Sequence, residues 1–265
     1  MGGCATLDEH QRRWIFQPSD RSWGGGAAAE GMQEVWVPFE SAATGQAVRL
    51  NGLWLPQDDP KAPRLLYLHG ARWDVRSSAG RMRRMHELGF AVLGIDYRGF
   101  GRSSEGLPSE ELAQEDARAA WDWLAQQQPL APRYLFGHSL GGAIAVQLAA
   151  DVNDEAGLIV EGTFTSIRDV VGTFKWGWLP LGPLITQRFD AAAQIARVGT
   201  PVLVVHGSED RLIRPTLGQA LYDKAAQPKR FVLVEGGSHH NTNSLGQNDY
   251  RQALAELFGL PTQRR

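Results

Sequence analysis

Six short apolar runs recur along this chain, each separated from the next by a longer stretch that is helical in pattern or rich in turns. They are Leu65-Leu-Tyr-Leu68, Ala91-Val-Leu-Gly-Ile95, Tyr134-Leu-Phe136, Leu158-Ile-Val160, Val202-Leu-Val-Val205 and Phe231-Val-Leu-Val234. Apolar runs without polar alternation belong to strands buried on both faces, which occur in parallel sheets covered by helices. Between them, Met82, Met85 and Leu88 recur at helical spacing, as do Leu112, Ala119, Trp123 and Leu124 beyond Glu110-Glu111. Strand alternating with helix predicts right-handed crossovers and a doubly wound, mostly parallel α/β sheet. Ahead of it, Val35-Trp-Val37 and Val48–Leu55 predict antiparallel first strands. At 265 residues one α/β domain is expected over 34–265, with a small lid at about 163–199. Residues 1–33 are expected to form an amino-terminal extension and linker: an apolar piece at Trp14-Ile-Phe16, then the glycine-rich Gly24–Gly31.

Open parallel sheets bind ligands at the carboxyl ends of their strands, so chemistry is sought just after the apolar runs. Tyr134-Leu-Phe-Gly-His-Ser-Leu-Gly-Gly142 passes from an apolar strand through G-x-S-x-G into the small-residue helix Ala143–Ala150. This is the layout of a nucleophile elbow, in which the strained turn exposes the serine hydroxyl and only small neighbours fit. Ser139 is the candidate nucleophile. A serine hydroxyl is weak until a base takes its proton, and the base needs an acid to orient it. His206-Gly-Ser-Glu-Asp210 follows one run and Glu235-Gly-Gly-Ser-His-His240 the last, in the chain order Ser, Asp, His. Asp210 is the candidate acid, with Glu209 competing and a turn-capping role as the alternative. One of His239 and His240 is the candidate base. Oxyanion donors are expected at the backbone N–H of Leu140, the residue after the serine, and of Ala71, on the loop after Leu65–Leu68. His69 on that loop reads as structural.

Other features narrow the chemistry. A net charge of −2 offers no basic surface for nucleic acid. Gly99-Phe-Gly101 lacks the third glycine of a dinucleotide fingerprint, no Walker lysine follows a glycine loop, and no H-E-x-x-H occurs. No cofactor and no metal are implied, so the expected partner is a small-molecule acyl ester or thioester. Arg72, Arg76, Arg81, Arg83 and Arg84 read as a solvated helix face, the alternative being attraction of an acidic substrate. Tentative pocket residues are Trp73 beside the oxyanion loop, Glu161 after the fourth run, and Trp176 and Trp178 in the lid, whose alternatives are a structural carboxylate and lid packing. The apolar stretches are shorter than the roughly 18 residues that span a bilayer. The single cysteine, Cys4, admits no internal disulfide. Met1-Gly-Gly-Cys4 is similar to the end of a bacterial lipoprotein signal, so membrane contact is expected only if Cys4 is lipidated. An ordinary terminal cysteine is the alternative, and the compartment is open between cytoplasm and periplasm.

Ile95-Asp-Tyr-Arg-Gly-Phe-Gly-Arg-Ser103, Gly137-His-Ser-Leu-Gly-Gly142 and Glu161-Gly-Thr-Phe-Thr-Ser-Ile167 together resemble the α/β-hydrolase superfamily over most of residues 34–260. The resemblance is to its compact serine hydrolases, which include bacterial serine aminopeptidase-like proteins and eukaryotic protein depalmitoylases. It implies Ser139 as nucleophile, Asp210 as acid and His239 as base, because relatives place a histidine after a short Gly and Ser/Thr turn, here Gly237-Ser238. His240 stays the alternative base. Relatives with His-Gly-Asn at the oxyanion loop differ from His69-Gly-Ala-Arg-Trp73, which bears on substrate specificity and not on a backbone donor. The expected activity is hydrolysis of a carboxylic ester or thioester of short to medium acyl chain through an acyl-enzyme. The rivals are a peptidase, with Glu161 holding a substrate amino terminus, and a non-catalytic binding protein of the same fold.

Overall fold

The computed structural model describes residues 2–21, 27–127, 129–174 and 182–261. In chain order it contains α1 (Gly2–Phe16), β1 (Gln33–Glu40), β2 (Ala47–Leu55), β3 (Arg64–Leu68), α2 (Ala79–Glu87), β4 (Ala91–Ile95), α3 (Glu110–Gln127), β5 (Arg133–His138), α4 (Leu140–Asp151) and β6 (Gly157–Glu161). Then come α5 (Ile167–Gly172), α6 (Ala191–Gln194), β7 (Val202–Gly207), α7 (Pro215–Lys224), β8 (Lys229–Val234), α8 (Thr242–Leu245) and α9 (Gln247–Phe258). The strands form one sheet in the order β1-β2-β4-β3-β5-β6-β7-β8. All six apolar runs are strands of its parallel part, and β1 and β2 join as the antiparallel pair at its edge.

Alternation along each buried strand divides the core in two. Leu66, Leu68, Leu135, Leu158, Val160, Val202 and Val204 pack with α3, α4 and α7 on one face. Their neighbours Leu65, Tyr67, Phe136, Ile159, Leu203 and Val205 pack with Met82 and Met85 of α2 and Tyr250 and Leu254 of α9 on the other. With both faces covered, neither register of the pleat can be polar, which is why these strands read as unbroken apolar runs.

Two expectations need correction. In α3 the buried residues are Ala113, Asp116, Ala117, Ala120, Trp121 and Leu124, so the helix turns inward a face built mainly of alanine. Leu112, Ala119 and Trp123 lie at its flanks; small residues let α3 approach α4 closely, a packing that a hydrophobic count does not detect. The amino-terminal stretch also does more than precede the domain. Ile15 and Phe16 at the end of α1 belong to the α3/α4 core, and Phe16 is fully buried with its ring against those of Phe100 and Phe189.

Candidate active site

Ser139 sits between the end of β5 and the first residue of α4 with φ of 56° and ψ of −123°, a conformation a side-chain-bearing residue holds only when its surroundings over-determine it. They do. Its N–H donates to the Glu161 carbonyl, and its own carbonyl accepts from Gly142 N–H and from the Thr163 hydroxyl at 2.8 Å. The turn is so tight that a Cβ on Gly137 would collide with the Gly141 backbone, and one on Gly141 with the Leu68 carbonyl.

The loops after β7 and β8 bring Asp210 and His239 together. His239 Nδ1 lies 2.7 Å from Asp210 Oδ2, while Asp210 Oδ1 accepts the N–H groups of Leu212 and Ile213 at 2.9 and 2.8 Å. His206 Nε2 stands 3.5 Å from Asp210 Oδ2. Burial would raise this carboxyl, but hydrogen bonds from His206 and His239 and from the Ile213 amide outweigh it and hold Asp210 well below the usual carboxylate range. Gly162, at φ of 58°, passes beneath the pair, where a Cβ would lie 3.4 Å from both Asp210 Oδ2 and His239 Nδ1. His240 is exposed and turns its ring at 85° to that of His239. The part of its ring turned to the protein loses some hydration, and this, followed by the positive charges of His239 and Arg81, lowers its affinity for a proton.

The loop after β3 runs beside the elbow: a Cβ on Gly70 would lie 3.0 Å from Ser139 Cβ and 3.5 Å from its Oγ. Ala71 and Leu140, the expected oxyanion donors, therefore flank the serine, Leu140 as the first residue of α4. His69 is buried with Nε2 3.4 Å from Asp96 Oδ1 and its ring against Tyr97 and Phe100, so its partners are Asp96 and these rings.

Ser139 stands on the boundary of two cavities. One, of about 190 Å³, is apolar and bounded by Trp14 and Ile15 of α1, Leu140, Phe164, Ile167, Val170, Val171 and Phe174. The other, of about 200 Å³, is the more polar of the two and is bounded by Arg72, Trp73, Ser77, Arg84, His138, His239 and His240. Arg84 Nε donates to the neutral Asn243 Oδ1 at 2.7 Å and has no carboxylate partner among the described residues. A serine that shares one cavity with the histidine of a histidine–carboxylate pair, and has a second, more apolar cavity on its other side, can transfer an acyl group from an apolar to a polar partner.

Several expected residues stand elsewhere. Glu161 does not reach either cavity; it is buried, with Oε1 2.7 Å from Arg81 Nε and Oε2 accepting the Tyr250 hydroxyl. Arg81 is correspondingly not on a solvated face. Helical spacing alone groups it with its neighbours as one exposed basic face, because spacing does not reveal a carboxylate 80 residues away. Trp73 lines the polar cavity. Trp176 and Trp178 lie outside the described residues. The apolar wall uses Trp14, Ile15 and Phe164; the apolar piece Trp14-Ile-Phe16 and the segment 161–167 carry these residues in the chain, but neither shows that they meet. His138, inside the elbow motif, carries no sequence signal of a role: it is buried, its ring tilted at 45° to that of His239 with centroids 4.8 Å apart, and its Nε2 lies 3.0 Å from the His239 carbonyl. Burial, and then the Arg81 and His239 charges, hold His138 well below the ordinary imidazole range. Among the described residues no helix is long and apolar enough to cross a membrane, and no cluster of side chains suits a metal ion.

A family model described as serine aminopeptidase, S33 matches residues 59–189 and 181–244. An uncharacterized protein of Mycobacterium tuberculosis is 38% identical over 205 residues, covering 76% of this chain and 72% of the relative. The lysophosphatidylserine lipase ABHD12 of Danio rerio is 33% identical over 186 residues, 63% of this chain and 48% of that protein. Among solved structures, the esterase Est1E from Butyrivibrio proteoclasticus, with ferulic acid bound, superposes with a TM-score of 0.69 at 18% identity over 85% of this chain and 99% of its own. The Pyrococcus furiosus esterase Pf2001 gives 0.69 at 17% identity over 92% and 100%. At these identities the two structures are alike in fold.

Proposed function

This chain belongs to the serine aminopeptidase (S33) family of α/β-hydrolases, and on that premise we propose that it hydrolyses a carboxylic ester or thioester of short to medium acyl chain through an acyl-enzyme on Ser139. The observation that carries the reading is the place of Ser139 between an apolar and a polar cavity, with the Asp210–His239 pair on the polar side. The acyl chain lies in the apolar cavity, whose size falls below the roughly 300 Å³ at which drug-sized ligand pockets begin. Ser139 Oγ attacks the acyl carbonyl carbon while His239 Nε2 takes the hydroxyl proton. Asp210 holds His239 Nδ1–H and stabilises the imidazolium. The tetrahedral oxyanion is met by the Ala71 and Leu140 N–H groups. As the bond to the leaving group breaks, His239 returns the proton to the departing oxygen or sulfur. Water, deprotonated by the same imidazole, then cleaves the acyl-enzyme to the free acid and Ser139.

The leaving group departs into the polar cavity, where the Arg84 guanidinium favours one that carries negative charge. The lipase name of the Danio rerio relative is compatible with an acyl ester of a charged alcohol. A peptidase is disfavoured by a specific observation: Glu161, the acid that would have received a substrate amino terminus, is already paired with Arg81 and Tyr250.

A panel of p-nitrophenyl esters and matched thioesters of increasing acyl length, run beside aminoacyl anilides, tests the proposal. At about 0.8 kcal/mol per buried methylene, kcat/KM should rise a few-fold per CH₂ and then stop when the apolar cavity is full. Turnover of the anilides with none of the esters would overturn it in favour of the peptidase.

A further inference from the structure

The segment from α1 to residue 21 is bonded directly to the loop that carries Ala71. The Phe16 carbonyl accepts the Arg72 N–H at 2.8 Å, the Arg21 carbonyl accepts the Asp74 N–H at 3.3 Å, and the Ser19 carbonyl accepts the Gly101 N–H at 3.1 Å. Upstream, α1 is tied to the loop before α6: Gln11 Nε2 donates to the Leu184 carbonyl at 2.6 Å, and Gln187 Nε2 donates to Asp8 Oδ1 at 2.9 Å. Phe16 itself is fully buried between Phe100 and Phe189, so its carbonyl is a fixed point.

Arg72 carries the other half of the argument. Its φ is +87°, a region that a residue with a Cβ avoids unless something outside the loop holds it. The bond from its N–H to the Phe16 carbonyl sets the plane of the Ala71–Arg72 peptide. That plane fixes Ala71 on one side and the packing of Gly70 on Ser139 fixes it on the other, so the Gly70–Ala71 peptide, which carries the Ala71 N–H, is held between two anchored ends. Released from Phe16, Arg72 would fall back to negative φ and the loop would swing.

We propose that α1 is a positioning element of the active site: through the Phe16 carbonyl it holds the Ala71–Arg72 turn with the Ala71 N–H aimed at the oxyanion, and through Trp14 and Ile15 it walls the acyl cavity. The inference rests on the hydrolytic reading above and on Ala71 as a donor within it. It assigns a role in the site to a stretch whose sequence shows one apolar piece and no catalytic motif.

The test uses the full chain and an acetate ester, too short to reach Trp14 or Ile15. Phe16→Ala, or Phe16→Leu if the alanine variant folds poorly, removes the anchor. Loss of a whole oxyanion donor costs roughly 10²–10³ in kcat, so a loosened donor should cost about ten-fold or more with KM within two-fold. Adding Arg72→Gly to the Phe16 variant should recover part of the kcat without recovering the melting temperature, because glycine reaches positive φ at no steric cost. Leu158→Ala, a cavity in the same core but near the amino-terminal end of β6, the end of the sheet opposite the elbow, should lower the melting temperature with kcat on acetate intact. Unchanged kcat in both Phe16 variants overturns the inference, as does a fall in kcat that Arg72→Gly fails to repair. A Ser139→Ala variant run alongside separates the two levels: if it keeps full activity, the hydrolytic reading itself fails.

Discussion

Arg81 and Glu161, 80 positions apart in the chain, form a buried ion pair beneath the candidate histidines, Nε to Oε1 at 2.7 Å. The free end of the guanidinium, Nη2, donates to the backbone carbonyls of His239 and His240, each at 3.3 Å. Burial alone would lower the arginine's affinity for its proton; the Glu161 carboxylate reverses that and raises it. One charge pair thus joins α2, the end of β6 and the loop that carries the histidines.

Removing one member leaves the other buried and uncompensated. Glu161→Gln should cost about 3–5 kcal/mol in urea unfolding. The double variant Arg81→Met/Glu161→Leu should recover much of that stability while kcat stays low, since the two histidine carbonyls have then lost their donor. Full recovery of kcat with stability would show that the pair supports the fold and does not position the loop.

Ser139 should be the residue that a fluorophosphonate labels, seen as a single adduct by intact mass and located by peptide analysis, because it is the elbow serine beside the Asp210–His239 pair. Ser139→Ala should abolish the adduct and lower kcat by several orders of magnitude. Asp210→Asn should lower it by roughly 10⁴, since the imidazole then takes the wrong tautomer. Equal labelling of the alanine variant would remove Ser139 from the proposed role.

The two adjacent histidines should separate by kinetics. His239→Ala is expected to lose nearly as much kcat as Ser139→Ala, since members of one catalytic unit fail together. His240→Ala should lose far less, its ring facing the polar cavity away from the Asp210 bond. The opposite ranking, measured on one ester, would move the base to His240.

Stability should fall in two stages on the acid side. His138 is held neutral by burial and the nearby Arg81 charge, so below about pH 6.5 the unfolded chain binds a proton that the folded chain refuses. That stabilisation is whole above pH 6.5 and drains as the pH falls, by up to about 1.4 kcal/mol per pH unit. The depressed Asp210 carboxyl adds a second loss, which begins below about pH 4 and deepens as the pH falls toward its folded value. Urea midpoints from pH 8 to pH 3 should show the first stage and the onset of the second. His138→Asn should flatten the first and Asp210→Asn the second; a pH profile unmoved by either would refute the assignment.

Much of this protein is determined locally. Buried parallel strands need apolar runs, the elbow needs small residues around Ser139, and loops after strands need turn formers, so the six runs, the sheet they build and the positions of Ser139, Asp210 and the His239-His240 pair can be read from the chain. Only the tertiary structure decided which ring meets Asp210, because adjacent loop residues point apart by an angle that a sequence does not specify. It also placed Glu161 against Arg81 instead of in the cavity, and Phe16 against Arg72, 56 positions apart. Such meetings depend on how whole helices settle on the sheet, and no periodicity within either segment encodes its distant partner. The alanine face of α3 shows the same limit: its burial comes from the close approach of α4, which small residues permit and do not advertise.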